Sequence, residues 1–303
     1  MSNELAVEKL IPRRVRLTPR SGVDIRRSLP HRDIRMIGAW CFLDHYGPTP
    51  QVDAMTVAAH PHTGLQTVSW LYSGEIEHCD SLGSLQRIRP GELNIMTSGR
   101  GIAHSEVSIA ASGDLHGVQL WVVLPEEHKD REPMFRHHGD LPQVNVAGIP
   151  AHLILGQIDG VESGVEIFSD LVGVELRPEA GREYSLPLRE DWEHGLHVAS
   201  GTVRIDGEVA EPGDLIYVHE GTATIALQAD DEAIVLLIGG LPFDEEVIMW
   251  WNFIGRSHEE IGQMREQWNA HSDRFPAFSD SLGGRIPAPD LPGVALRPRG
   301  RRR

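Results

Sequence analysis

The chain has 303 residues, 40% of them apolar and 24% charged, and a formal net charge of −16. This is the composition of a soluble globular protein with one large or two ordinary domains, and it excludes a disordered or fibrous chain. The negative charge argues against a nucleic-acid-binding body, because phosphate would be repelled over most of the surface.

The N-terminus, Met1-Ser-Asn-Glu-Leu-Ala-Val-Glu-Lys9, lacks the apolar centre of a secretory signal. The most apolar run, residues 233–238, is too short to cross a bilayer. A cytoplasmic protein with no membrane and no nucleic-acid partner is expected. Cys41 and Cys79 form no metal-binding pattern and are expected as free thiols in a reducing compartment.

Val15-Arg16-Leu17 and Val23-Asp24-Ile25 alternate charged and apolar residues and predict short strands. Residues 37–43 are strongly apolar; Asp44-His45-Tyr46 follows, then a turn or loop at Gly47-Pro48-Thr49-Pro50. From His60 to Glu106 the chain reads as hairpin strands broken by turns at Ser73-Gly74, Asp80-Ser-Leu-Gly83 and Pro90-Gly91. Residues 116–124 read as a further core strand that stops at Pro125. The polar stretch after it places a domain boundary near 135–150.

The chain then repeats itself. Ser73-Gly74-Glu75-Ile76 and Pro90-Gly91-Glu92-Leu93 have counterparts in Ser200-Gly201-Thr202-Val203 and Pro212-Gly213-Asp214-Leu215, at offsets of 127 and 122 between the glycines. Counting by the first unit's spacing puts Pro187, Arg189, Ala226 and Gln228 where ligands would stand, so the second unit is expected to bind no metal. His194 and His197 are three apart, which in a strand sets them on opposite faces. Ser257-His-Glu-Glu260 marks a helix start with Glu260 placed for a capping box, and Ile261, Met264 and Trp268 share one face at helical spacing. The Pro/Gly/Arg end, with arginines at 297, 299, 301, 302 and 303, is expected to be a disordered, solvated tail.

The fold class expected is all-β: two tandem antiparallel β-barrels and a short C-terminal helix. The divisions are 1–140 for a metal-binding barrel, 141–245 for a barrel without ligands, and 246–303 for the helix and tail.

The metal expectation rests on strand parity. Residues i and i+2 of an extended chain point to one face. His60 and His62 can therefore aim two imidazoles at one point, and His104 and Glu106 can aim an imidazole and a carboxylate at the same point from another strand. In a chain with 16 histidines one His-x-His pair can arise by chance; two pairs with the same parity, joined by hairpins, carry more. A mixed nitrogen/oxygen set without thiolate suits Fe(II), Mn, Co, Ni or Cu, and Zn can use the same ligands. His78, His116 and His219 are expected as ordinary strand histidines, Arg100 as a holder of the turn before His104, and Trp250-Trp251 as core or interface packing.

The motifs His60-Pro-His-Thr-Gly64, Met96-Thr-Ser-Gly-Arg-Gly-Ile102, His104-Ser-Glu106 and His116-Gly-Val-Gln-Leu-Trp121 resemble those of the pirin family of the cupin superfamily, as do residues 240–248 and 259–261. The resemblance runs from about residue 20 to 270. It implies a bicupin with one metal ion, usually iron and here first of all Fe(II), held in the first barrel by His60, His62, His104 and Glu106. Gln66, Met96, His116 and Gln119 are the expected surroundings of those ligands. Gln66 and Thr63 stand where many relatives carry glutamate and arginine, changes that would alter the ligands' environment. The activity implied is flavonol (quercetin) 2,3-dioxygenation, with dioxygen and a small aromatic or enolic substrate as partners and Glu106 as catalytic base. The alternative implied is a metal-dependent regulator that binds a protein partner, a transcription factor or a metabolic enzyme.

Overall fold

The computed structural model describes residues 7–16, 23–50, 55–109 and 113–303. The first six residues and Leu17, which ends the first expected strand, lie outside these. The described chain is built of antiparallel strands and one α-helix, His258–Asn269. No helix among the described residues is long and apolar enough to cross a membrane.

Two compact units divide the chain. The first comprises Val15–Ile25, Tyr46–Gly139 and Asp244–Arg303; the second comprises Met1–Arg14, Arg26–His45 and Asp140–Phe243. They are therefore not consecutive, unlike the division expected. Arg26–His45 belongs with the later residues and the helix with the earlier ones. The strand Trp40–Thr49 crosses from one unit to the other between His45 and Tyr46.

The described strands include two seven-stranded and two four-stranded sheets. The four-stranded sheet of the first unit has the order Thr56–His62, Ile102–Ser108, Ile76–Asp80, Leu85–Ile88. The seven-stranded sheet that accompanies it is centred on Leu65–Ser73 and Leu115–Val123, pairing Ser69 with Gln119. In the second unit the long sheet runs from Val7–Leu10 through Leu215–Val218, Glu193–Ser200, Ile234–Gly240, Leu171–Leu176 and Ile149–Leu155 to Gln143–Val146. This is a bicupin-type fold, corrected in one respect from the expectation: among the described residues hydrogen bonds do not close the sheets into barrels, and each sheet keeps its own edge strands.

The repeat has a structural cause. Gly74 and Gly201 have φ of 82° and 76°, a region that glycine enters without steric cost. A Cβ at Gly74 would stand 3.1 Å from the backbone of Asp114 and Leu115, and one at Gly201 would stand 2.6 Å from Glu232 O. The same turn abuts the same kind of neighbour in both units.

Strand period decides what faces inward. Ile76–Asp80 alternates buried and half-buried, with Ile76, His78 and Asp80 inside and Glu77 and Cys79 outside. The second unit's core gathers Leu153, Val174, Leu196, Val235 and Leu237. The first unit holds one cluster around Tyr46, Leu71, Ile76 and Leu115, and another around Phe253, Ile261, Met264 and Trp268. The helix is N-capped by Ser257, whose Oγ accepts from Glu260 N at 3.2 Å. Glu260 reaches back one residue further than a capping box requires, accepting from Arg256 N at 2.6 Å. Beyond the helix, residues 284–286 pair with Ala59 at the edge of the four-stranded sheet, Ala59 N to Gly284 O at 3.2 Å and Ile286 N to Ala59 O at 2.8 Å. Within the expected disordered tail, Arg299 exchanges two backbone hydrogen bonds with Val247, at 3.1 and 2.9 Å. Both cysteines are free, and burial pushes the Cys41 thiol up to about 12.

Candidate metal centre

The register of three strands assembles the site. His104 lies directly opposite His60, and Ile102 opposite His62, so the two histidine pairs share one face. The pairing then slips: Glu106 is opposite Val57, because the His60 strand carries an extra residue there. Within that bulge Ala58 O accepts from His60 Nδ1 at 2.9 Å. On the other side of His104 runs Ile76–Asp80, with Asp80 opposite His104 and His78 opposite Glu106.

The rings of His60, His62 and His104 converge, with centroids 5.0 Å apart for His60–His62, 4.4 Å for His60–His104 and 5.0 Å for His62–His104. One ligand atom from each can lie within 4.8 Å of the others, and the same holds for His78, His104 and Glu106. All five residues are buried. Two overlapping groups sharing His104 can thus hold a metal ion, and four of the five members are those that parity selects.

His78 is the member of these two groups that sequence reasoning misses. Its context predicts an ordinary strand histidine, yet its Nδ1 lies 3.2 Å from His104 Nδ1 and its Nε2 lies 3.1 Å from Asp80 Oδ2. One face of its ring stacks on Phe135, centroids 4.4 Å apart at 13°. The usable signal is the spacing in His78-Cys-Asp80, the same i, i+2 parity as the two ligand pairs.

The remaining expected residues are distributed as follows. Gln119 accepts from Ser69 Oγ at 2.9 Å, and the same hydroxyl lies 3.5 Å from Glu106 Oε1, so Gln119 is tied to the cluster through Ser69. Gln66 donates to Thr97 Oγ1 at 2.9 Å, Met96 sits between Thr67 and Phe135 in the sheet, and His116 packs its ring on Tyr72 at 4.8 Å. Thr63 donates to Met264 Sδ at 3.1 Å. Trp121 meets His62 edge to face at 5.1 Å. Arg100 is exposed and bridges to Glu132 at 2.8 Å, while its carbonyl accepts from Arg274 Nε at 2.6 Å. In the second unit His194 stacks on Trp192 and His197 meets the ring of His45, partners on opposite faces of their strand.

Burial, then the neighbouring imidazoles, hold His62 and His104 well below the usual histidine value, and burial holds His60 down to about 4. All three are neutral near pH 7, the state in which imidazole has a lone pair for a metal. Burial pushes Glu106 up, against the opposing pull of His78 and the Ser69 hydroxyl. Two buried nitrogens, His62 Nδ1 and His104 Nε2, have no hydrogen-bond partner among the described residues. Unpaired buried polar atoms are costly, and a cation among uncharged imidazoles and one carboxylate would engage donors of this kind. The residues present therefore fit a divalent metal ion.

Comparisons with known proteins identify the family. Residues 22–122 match Pirin and residues 173–275 match the Pirin C-terminal cupin domain. A Pseudomonas aeruginosa protein provisionally named a quercetin 2,3-dioxygenase is 41% identical over 273 residues, 89% of this chain and 87% of that protein. A pirin-like protein of Caulobacter vibrioides is 36% identical over 88% of this chain and 94% of its own length. The crystal structure of a quercetin 2,3-dioxygenase from Acinetobacter baumannii superposes with a TM-score of 0.92 at 37% identity, covering 96% of this chain and 97% of that one. The chain belongs to the pirin family.

Proposed function

We propose that the protein is a metal-dependent dioxygenase that cleaves a flavonol such as quercetin with dioxygen. One divalent ion, Fe(II) first, would be held by His60, His62, His104 and Glu106. Bound there, it would supply Lewis acidity toward the substrate hydroxyl and redox access to dioxygen. The chain's own residues supply the rest. Three neutral imidazoles leave the carboxylate as the one anionic group of the set, and Glu106 accepts the proton of the flavonol hydroxyl. Ser69 Oγ, which gives its proton to Gln119 at 2.9 Å, stands 3.5 Å from Glu106 Oε1 and ties that carboxylate's surroundings to the neighbouring strand. Burial of all four residues excludes bulk water from the proton transfer.

The convergence of the three histidine rings carries this proposal, and the relatives' names support the choice of substrate. Iron-loaded protein is expected to consume oxygen when given quercetin. Glu106→Gln is expected to abolish that uptake while leaving the circular dichroism and melting temperature of a folded protein. If the wild type is inactive and captures a protein partner only when metallated, the enzymatic role is replaced by a regulatory one.

A further inference from the structure

The contacts around His78 occupy one nitrogen of His104 and leave the other without a partner among the described residues. Asp80 is fully buried, and its Oδ1 accepts from the backbone amides of Leu82 at 2.9 Å and Ser84 at 3.0 Å. Burial pushes the Asp80 carboxyl up, but the bonds from His78 and Ser84 outweigh it and leave it below the usual carboxylate value. An ionised carboxylate only accepts, so the proton of the 3.1 Å contact with Asp80 Oδ2 sits on His78 Nε2. With Nε2 engaged by Asp80, Nδ1 is the nitrogen that His78 turns to His104. The 3.2 Å contact between His78 Nδ1 and His104 Nδ1 needs one proton, and only with that proton on His104 does its free nitrogen keep a lone pair for a metal. That leaves the lone pair of His104 on Nε2, the nitrogen that lacks a partner among the described residues. His78 spends both ring nitrogens in this chain and one face on Phe135, so it serves the ligand set from outside.

We propose that His78, oriented by Asp80, is a positioning residue that fixes His104 in its Nδ1–H tautomer and so presents Nε2 to the metal. The function of the relay rests on the ligand set proposed above; the tautomer itself does not. The turn over residues 80–84 anchors Asp80, Asp80 anchors His78, and His78 selects the ligating atom of His104. Outer partners of metal-bound histidines commonly work in this way.

Asp80→Asn separates this role from a structural one. The two backbone amides at Leu82 and Ser84 require an acceptor, so the substituted amide keeps its oxygen there and turns its NH2 group toward His78. His78 Nε2 must then accept, its proton moves to Nδ1, and His104 is forced to carry its proton on Nε2, the wrong atom. His78→Asn instead puts an amide oxygen near the former Nδ1 position and still accepts from His104.

The first measurement is the 15N NMR tautomer of His104 in the metal-free full-length protein. Nδ1–H in the wild type and Nε2–H in D80N are expected; Nε2–H in the wild type overturns the proposal. The second is nickel(II) affinity by chelator competition. D80N is expected to weaken binding about 10–100-fold, the range typical of outer-partner loss. H78N is expected to retain most of the affinity, and D80N added to H78N to cost little more. Equal losses from D80N in both backgrounds would show a purely structural role and overturn the proposal. If His104→Ala leaves nickel binding unchanged, the ligand set fails instead, and the tautomer measurement still decides the relay.

Discussion

Burial governs protonation at single residues in both units. In the second unit it holds His194 down to about 4 from an ordinary 6.5. The folded-state value lies below the unfolded one, so the unfolded chain binds the extra proton. The stability this residue contributes is complete above about pH 6.5 and is lost as pH falls toward about 4, at up to about 1.4 kcal/mol per pH unit. Urea unfolding followed from about pH 7 to about pH 4 is expected to show a shallower acid loss in His194→Asn than in the wild type; parallel curves would contradict it. At this scale strand parity makes His60, His62, His104 and Glu106 legible, since a period of two needs no knowledge of the partner strand. His78 is only half legible: its spacing to Asp80 is in the sequence, but its contact with His104 depends on Asp80 standing opposite His104. That register belongs to the pairing of Ile76–Asp80 with Ile102–Ser108, and is not visible in either strand alone.

At the scale of elements, the strand carrying His60 lies at a sheet edge and is covered by residues 284–286. The helix holds that segment in place. Trp268 Nε1 donates to Ile286 O at 2.9 Å, the Arg285 guanidinium stacks 3.5 Å from the Trp268 ring centroid, and Asn269 exchanges hydrogen bonds with Ala288. Covering an edge strand satisfies backbone groups that would otherwise template pairing with another chain. Trp268→Ala is expected to cost about 3–5 kcal/mol, as for other buried tryptophans, and to speed metal loss from the folded protein through a loosened His60 strand. Denaturant midpoints and chelator-driven metal release check the two effects; a stable variant with unchanged release would contradict the coupling. The helix itself is legible from its Ser257 cap and its Ile261, Met264 and Trp268 stripe. The cover at residues 284–286 is not, because a proline- and glycine-bearing segment shows no period and its pairing with Ala59 joins residues far apart in the chain.

For the whole molecule, tandem repetition in sequence becomes repetition in structure, with matching glycines at matching turns. The interleaving of the units is hidden for a physical reason. Val7–Leu10 pairs with Leu215–Val218, and strand pairing at such separation is specified by complementary edges, which a linear pattern does not encode. Sheet closure is likewise undetermined by sequence, since alternation states which face is buried but not whether the last strand meets the first. The first unit gathers imidazoles and a carboxylate in its interior. The central claim is that His60, His62, His104 and Glu106 surround a single ion. Elemental analysis of freshly purified, iron-loaded protein tests it most directly. One metal ion per chain is expected in the wild type, with stoichiometric loss in His60→Ala, His62→Ala and His104→Ala variants that remain folded. A wild-type chain that retains no metal, or variants that retain it undiminished, would contradict the account.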